Sequence, residues 1–438
     1  MRSKAQHGKG TEPTITAASS ASVDARDAAN ASAEANLPER IAALRGAADI
    51  EVASSEVTRD INRDVVLERI RVLQPISRVD LARASGLQPS TVSSIVEQLL
   101  EERWVREGAL VKTARGRRPT MLTLNDDLVF LVADVRPSRA VVALVDLNGR
   151  FLERQLLPLG RDPERSMAAI ADVMLRFREH HPQHTFEGVG LSMPGRVNPR
   201  TNELMLSPNP GWGAFPISSY LSERLGMEVQ LENAANASLL SELWFGRVGV
   251  RDAMLVTVSE GVGVAVLASG HLVHGKQGMA GEFGHICMDP AGPQCSCGAR
   301  GCWEVYASSQ AALRYYRALA PKAECTTFLK LMALAIDGNE DARRALEQQA
   351  HAIGQGLHLL NAVLAPEVIL LAGDLTAFYE MYREILETEC RTASMDGVGP
   401  QLRSIGDGEM ARLRGAAAVV LQRHSGYYRA AHKRFEQR

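Results

Sequence analysis

Four residues place the tightest limit on what this chain can fold into. His285, Cys295, Cys297 and Cys302 fall within the stretch "GEFGHICMDPAGPQCSCGARGCWE", Gly281 to Glu304. Three thiols close together and an imidazole ten residues before the first of them are the ligands of a closed, tetrahedral, structural zinc site, which keeps no position for a reacting water. Gly298 and Gly301 let the backbone turn tightly around an ion. Cys287 would point the same way as His285 along a strand and stands as a reserve ligand. Cys325 and Cys390 have no such company and read as buried apolar fillers. Clustered cysteines of this kind read as metal ligands in a reducing compartment. The N-terminus lacks the apolar segment of a secretory signal, and no apolar run approaches the ~18 residues of a membrane span. A cytoplasmic protein without membrane contact is expected.

A chain of 438 residues implies two or three domains. Residues 1–55 are rich in Ala, Ser and acidic side chains and nearly free of aromatics, the composition of a disordered tail. The pattern then changes. "INRDVVLERIRVLQ" puts Val66, Ile70 and Leu73 on one helical face. Ser77 and Asp80 have capping-box spacing with Asp in place of Glu. Gly86 ends that helix, and Pro89 suits the first turn of the next, whose buried stripe is Val92, Ile95, Val96 and Leu99. Two short alternating segments, "WVREGALVKT" and "PTMLTL", follow as strands. Residues 56–124 therefore read as a winged helix-turn-helix module. Gln88, Ser90, Thr91, Ser93 and Ser94 at the start of its third helix are candidates for base or phosphate contacts. The net charge of the chain is only −2, but residues 59–118 hold twelve Lys/Arg against eight Asp/Glu. The excess gathers in Lys112, Arg115, Arg117 and Arg118, a basic arm suited to a minor groove. Operator DNA is the expected partner.

From Leu128 onward, strands and helices alternate in an α/β pattern. "LSMPGRV", "SPNPGW", "LENAANA", "GVGVAV", the His/Cys stretch and "LLAGDL" occur in that order. Together they resemble the ROK family, which groups repressors, open reading frames and sugar kinases. The resemblance covers about residues 128–425. It implies a two-lobed actin-like (ribonuclease-H-like) sugar-kinase fold over residues 125–438, with a sugar in the cleft between the lobes. It also implies that zinc fixes a loop whose Glu282 and Glu304 accept from sugar hydroxyls. Asn209 and Asn233 match further sugar-contacting positions, and His285 has a second nitrogen to offer to the sugar or to an orienting group. Family repressors are homodimers or dimers of dimers.

The kinase chemistry is expected to be lost. Kinases of the family take their catalytic base from the Asp of Glu-Asn-Asp-x-Asn, and this chain reads Glu232-Asn233-Ala234-Ala235-Asn236. The first phosphate loop, Asp-x-Gly-Gly-Thr in the kinases, is Asp134-Val135-Arg136-Pro137-Ser138. Without its glycines, backbone amides have no close approach to a phosphate. The second loop carries Glu260 where the kinases have Thr. ATP binding is not expected. These readings point to a non-enzymatic regulator that responds to a sugar or sugar phosphate, most simply a repressor of carbohydrate genes. Two alternatives are a hexose kinase with a DNA-binding extension and a regulator controlled by a transport-system protein.

Overall fold

The computed structural model describes residues 55–108, 120–206, 212, 215–246, 249–392, 399–406 and 408–422. The first elements are α1 (Ser55–Leu73), β1 (Ile76–Ser77), α2 (Arg78–Ser85), α3 (Pro89–Glu101), β2 (Val105–Glu107) and β3 (Met121–Leu124). Ser77 caps α2: its Oγ accepts from the Asp80 N–H and donates to the Asp80 carboxylate, so Asp80 reaches back to the Ser77 hydroxyl, whereas the Glu of a capping box reaches the backbone N–H. Gly86 closes α2 in the left-handed conformation, and Pro89 opens α3. The four expected residues of α3 are buried.

α1 departs from the sequence reading. Val66 and Ile70 are buried, but Leu73 is 45% exposed and Leu67 is buried instead. The buried stripe is rotated towards Leu67, and Leu73, the last residue of the helix, has passed the end of the core. The sheet expected as a two-stranded wing has three strands in the order β1-β3-β2, because the two-residue β1 pairs with β3. Such a short strand carries no readable alternation. Lys112, Arg115, Arg117 and Arg118 lie outside the described residues.

The first lobe begins with β4 (Leu128–Val135), β5 (Arg139–Asp146), β6 (Phe151–Pro158), α4 (Pro163–His180) and β7 (Thr185–Met193). The ribbon β8 (Arg196–Asn198) and β9 (Glu203–Leu206), α5 (Ile217–Leu225) and β10 (Val229–Asn233) follow. Its sheet runs β10-β7-β4-β5-β6, with β4 parallel to β7 and antiparallel to β5. All of β4 and all of β5 after its first residue are buried, while edge strand β6 alternates. α6 (Ala234–Trp244) leads on to β11 (Ala253–Val258), β12 (Val262–Ala268) and β13 (His271–Leu272). The helices α7 (Glu304–Ala307), α8 (Ser309–Leu319), α9 (Phe328–Ile336) and α10 (Glu340–Leu364) come next, then β14 (Val368–Gly373), α11 (Tyr379–Thr392), β15 (Gln401–Ser404) and α12 (Gly408–Gln422). The second sheet runs β13-β12-β11-β14-β15. Among the described residues, no helix is long and apolar enough to cross a membrane.

The helical module is not a bead on a string. Val66, Ile70, Leu99 and Leu122 belong to the same apolar cluster as Phe130, Val145, Leu413 and Val420 of the first lobe and α12. The core thus runs across the 124/125 boundary drawn from sequence, and the described residues from Asp60 onward belong to one compact unit. α12 also crosses α6 backbone to backbone: a Cβ on Gly415 would stand 2.0 Å from the Ala237 carbonyl oxygen. Gly415→Ala must push the two helices apart. Overpacking of this kind costs ~1–3 kcal/mol, and denaturant unfolding should show a loss of that size; an unchanged midpoint would contradict the close crossing.

Candidate functional site

The site is built where the β10–α6 junction faces the segment from His271 to Glu304. The loop is held by its own glycines and by Trp303. Gly301 has φ +65°, and a Cβ there would fall 1.6 Å from the Asp289 carbonyl oxygen, so only glycine fits. Trp303 is buried, its indole N–H donates to the Ala352 carbonyl of α10 at 2.8 Å, and a Cβ on Gly356 would meet its ring at 1.9 Å. Between Cys302 and Glu304, this ring pins the loop to the second-lobe core.

The four expected metal ligands do converge. Cys297 and Cys302 sulfurs are 3.7 Å apart, Cys295 Sγ is 3.6 Å from His285 Nδ1, and all four ligand atoms lie within 4.8 Å of one another. A tetrahedral ion with ~2.3 Å arms to sulfur sets its ligands about 3.8 Å apart, so the cluster fits a Cys₃His ion. Burial, with the neighbouring Cys297 and Cys295 thiols, pushes the Cys302 thiol up to about 12. The Ala299 N–H draws the exposed Cys297 down. Metal binding must therefore displace protons from the cluster. Cys287, the reserve ligand, is not recruited: His285 ends a 3₁₀ turn instead of lying on a strand, so alternation does not apply. The exposed Cys287 thiol donates to the Arg300 carbonyl. Cys325 and Cys390 are buried, as expected.

Of the expected sugar-contacting residues, His285, Glu282 and Glu304 lie at this cluster and Asn233 at the start of α6, while Asn209 lies outside the described residues. His285 turns its Nε2 towards Glu282 at 3.8 Å. Glu282 also faces Arg196 of β8 at 3.6 Å, an ion pair reaching from the first lobe to the loop. Glu304 opens α7; its Oε2 accepts from the Val262 N–H at 3.1 Å, and its Oε1 lies 3.9 Å from the Cys295 thiol. Asn233 caps α6 by accepting from the Ala235 N–H at 2.8 Å and donates to the Gly195 carbonyl at 2.5 Å. One Nδ2 proton and one Oδ1 lone pair are left over for a ligand.

The sequence reading missed the group beneath Asn233. Glu232 is buried. Its Oε1 accepts from the Asn233 N–H at 2.8 Å and Asn236 Nδ2 at 2.9 Å, and its Oε2 lies 2.9 Å from His274 Nε2. In "LENAANA" the Glu and the second Asn thus fix the strand-to-helix turn. No local signal pointed to His274, which lies 42 residues from Glu232.

The segment that aligns with the kinases' first phosphate loop holds ion pairs of the protein's own. Asp134 is buried. It accepts from Arg136 Nε at 3.0 Å, from Arg412 Nε at 3.0 and 3.1 Å, and from the Ser192 hydroxyl at 3.2 Å; Arg136 also pairs with Glu409 at 3.1 Å. Burial pushes the Asp134 carboxyl up to about 6, and Arg136 pulls the other way.

The His274–Glu232 pair has a testable titration. Burial alone would lower the His274 pKa, but the Glu232 charge and hydrogen bond, with a backbone bond at Leu272, raise it above its ordinary value. A raised histidine stabilises the fold fully below its unfolded pKa of ~6.5 and loses that contribution as pH rises through the higher folded value. In Glu232→Gln, only burial and the backbone bond remain, and the His274 resonance followed by NMR should titrate lower than in the unaltered chain. Titration at the same pH in both proteins would refute the pairing.

With this geometry in place, comparison with known proteins is informative. The pattern of the ROK family matches residues 134–423. The xylose repressor of Bacillus subtilis (strain 168) is 30% identical over 379 residues, which span 85% of this chain and 98% of the repressor. The DNA-binding transcriptional dual regulator NagC of Escherichia coli (strain K12) is 25% identical, over 79% of this chain and 88% of its own. A crystal structure of a ROK family transcriptional regulator, a homolog of the E. coli MLC protein, shares the fold with a TM-score of 0.70 over 84% of this chain and 99% of its own, at 22% identity. A ROK family glucokinase from Streptomyces griseus, solved with glucose and AMPPNP, gives a TM-score of 0.61 at 26% identity, over 67% of this chain and 99% of its own. The chain belongs to the ROK family, and its two lobes have that family's sugar-kinase fold.

Proposed function

We propose that this protein is a sugar-responsive, DNA-binding regulator of transcription, a repressor of carbohydrate-metabolism genes in which the kinase chemistry has been lost. The carrying observation is the replacement at the reaction centre. Ala234 stands where kinases of the family have their base, and side chains cannot abstract a proton without an acceptor. The Asp134–Arg136–Arg412 cluster occupies the aligned phosphate loop, where a polyphosphate would have to displace its ion pairs. The relatives agree with this reading. The glucokinase is used up at 67% of this chain, whereas the xylose repressor continues to 85%, as a module ahead of the kinase fold requires.

In this reading, residues 56–124 read DNA and residues 125–438 sense the sugar. Gln88, Ser90 and Ser94 are exposed at the start of α3, with Thr91 and Ser93 half-buried, and face the bases. The arginines of the wing add phosphate contacts. Glu282, Glu304, Asn233, His285 and Asn209 hold the sugar hydroxyls, and zinc on His285, Cys295, Cys297 and Cys302 is a staple with no open position. The protein acts in the cytoplasm as a homodimer, or a dimer of dimers, on paired half-sites. Sugar shifts the equilibrium between two forms with different operator affinity.

Four measurements test this. Freshly purified protein should contain one zinc per chain by elemental analysis, and Cys297→Ser should lose both the metal and the sugar response. Glu304→Ala should weaken sugar binding roughly 10–100-fold, since a hydrogen bond to a charged group is worth ~1.5–3 kcal/mol. ATP turnover with any hexose, above that of the Glu304→Ala protein, would instead decide for a kinase. Ser94→Ala should change the preferred sequence in a randomised DNA library more than it changes the salt dependence. Failure of the full chain to select any sequence would end the regulator reading.

A further inference from the structure

One helix has an end in each of the two proposed sites. α6 begins at Asn233, whose side chain caps it and bonds to Gly195 in the sugar pocket. It ends at Trp244, whose carbonyl is one of the last four in the helix, where intrahelical donors run out. The Arg71 guanidinium, from the last turn of α1, donates to that carbonyl. Its charge suits the negative end of a helix. Glu68 holds Arg71 in place through contacts of 2.7 to 2.9 Å, and the Arg71 side chain is only 13% exposed.

A second route joins the same two elements. Phe245, just past α6, packs on the β5–β6 turn, where a Cβ on Gly149 would lie 2.6 Å from its ring. In that turn Asn148 Oδ1 accepts from Gln74 Nε2 at 2.9 Å, and Gln74 Oε1 accepts from the Leu124 N–H of the wing at 2.8 Å. The end of α1 and the wing are thus both tied to the end of α6. Between its ends α6 is stiff. It has 11 residues, about 16 Å at ~1.5 Å per residue, with no Gly or Pro, and it lies against α12 along the Ala237–Gly415 crossing.

We propose that α6 is a strut: a displacement of Asn233 on sugar binding moves the Trp244 carbonyl and, through Arg71, the module that carries α3. Arg71 is the positioning residue at the joint. Rigid elements with packed ends carry coupling in this way. This rests on the sensor-and-regulator reading above, so the test has an arm that needs neither sugar nor operator.

In that arm, hydrogen exchange is followed on the full chain. Asn233→Ala removes the cap and the Gly195 bond. It should speed exchange in α6, and also at the last turn of α1 and at Leu124. Asn233→Ser keeps a capping oxygen and should show a smaller change. Faster exchange confined to the first two turns of α6 would overturn the strut.

In the second arm, operator DNA recovered from a randomised library is titrated with and without D-xylose or N-acetylglucosamine. Coupling of ordinary size changes operator affinity ~5–150-fold. Arg71→Met should bring that factor to within about two-fold of one, while its sugar affinity without DNA stays at the unaltered value. Arg71→Lys, which keeps a charged donor, should retain most of the response. A full sugar response in Arg71→Met would refute the proposal. If neither sugar acts on the unaltered chain while the exchange change still reaches α1, the strut stands and the sensor reading fails.

Discussion

The site depends on the burial of one indole. Trp303 sits between Cys302 of the His/Cys cluster and Glu304, and its ring is sunk against α10 at Gly356 with its N–H on the Ala352 carbonyl. Most of the surrounding loop is irregular, and an irregular loop of this length has little of its own to hold it. The indole supplies apolar area and a directional hydrogen bond at once. It therefore sets where Cys302 starts and where α7 begins. The thiols can then converge, and Glu304 can accept from Val262 and keep an oxygen for a ligand.

The same economy of fixed points explains what was readable in the sequence. The thiols and His285 were legible because ligand type and spacing are local properties. The α3 stripe and the Ser77 cap were legible because periodicity and capping are local too. Three features were not. Leu67 displaced Leu73 from the core because the buried face of a helix is decided by its partners, not by its own period alone. Cys287 stayed outside the cluster because a 3₁₀ turn replaced the strand assumed there. His274 under Glu232, and Arg412 on Asp134, pair residues 42 and 278 positions apart, and nothing in either segment announces the other. The two-lobed architecture was legible through family motifs, but the core shared by the module and the first lobe was not.

Asp134 shows how side chains can close the segment that aligns with the kinases' phosphate loop. The kinase loop needs glycines so that backbone amides can surround a phosphate. Here Arg136 folds back on the neighbouring carboxylate, and Arg412 reaches it from α12. A buried carboxylate is costly without partners, and breaking one of these pairs leaves an uncompensated charge. The cluster thus favours its own integrity over an incoming anion. In the proposed function, the cleft has given up its chemistry and keeps recognition at Asn233 and Glu304, so the two are separable.

The apolar cluster that joins Val66 and Leu122 to Phe130 and Val420 has a consequence for how such proteins diversify. A helical module that shares its core with the lobe beside it is not a free cassette. Recombination at the 124/125 junction would leave half a core on each parent, with exposed valines and leucines on both. Exchange of whole modules is then disfavoured. Change is directed instead to the polar rim of α3, the proposed DNA-reading edge, where side chains are replaced one at a time without disturbing the shared interior.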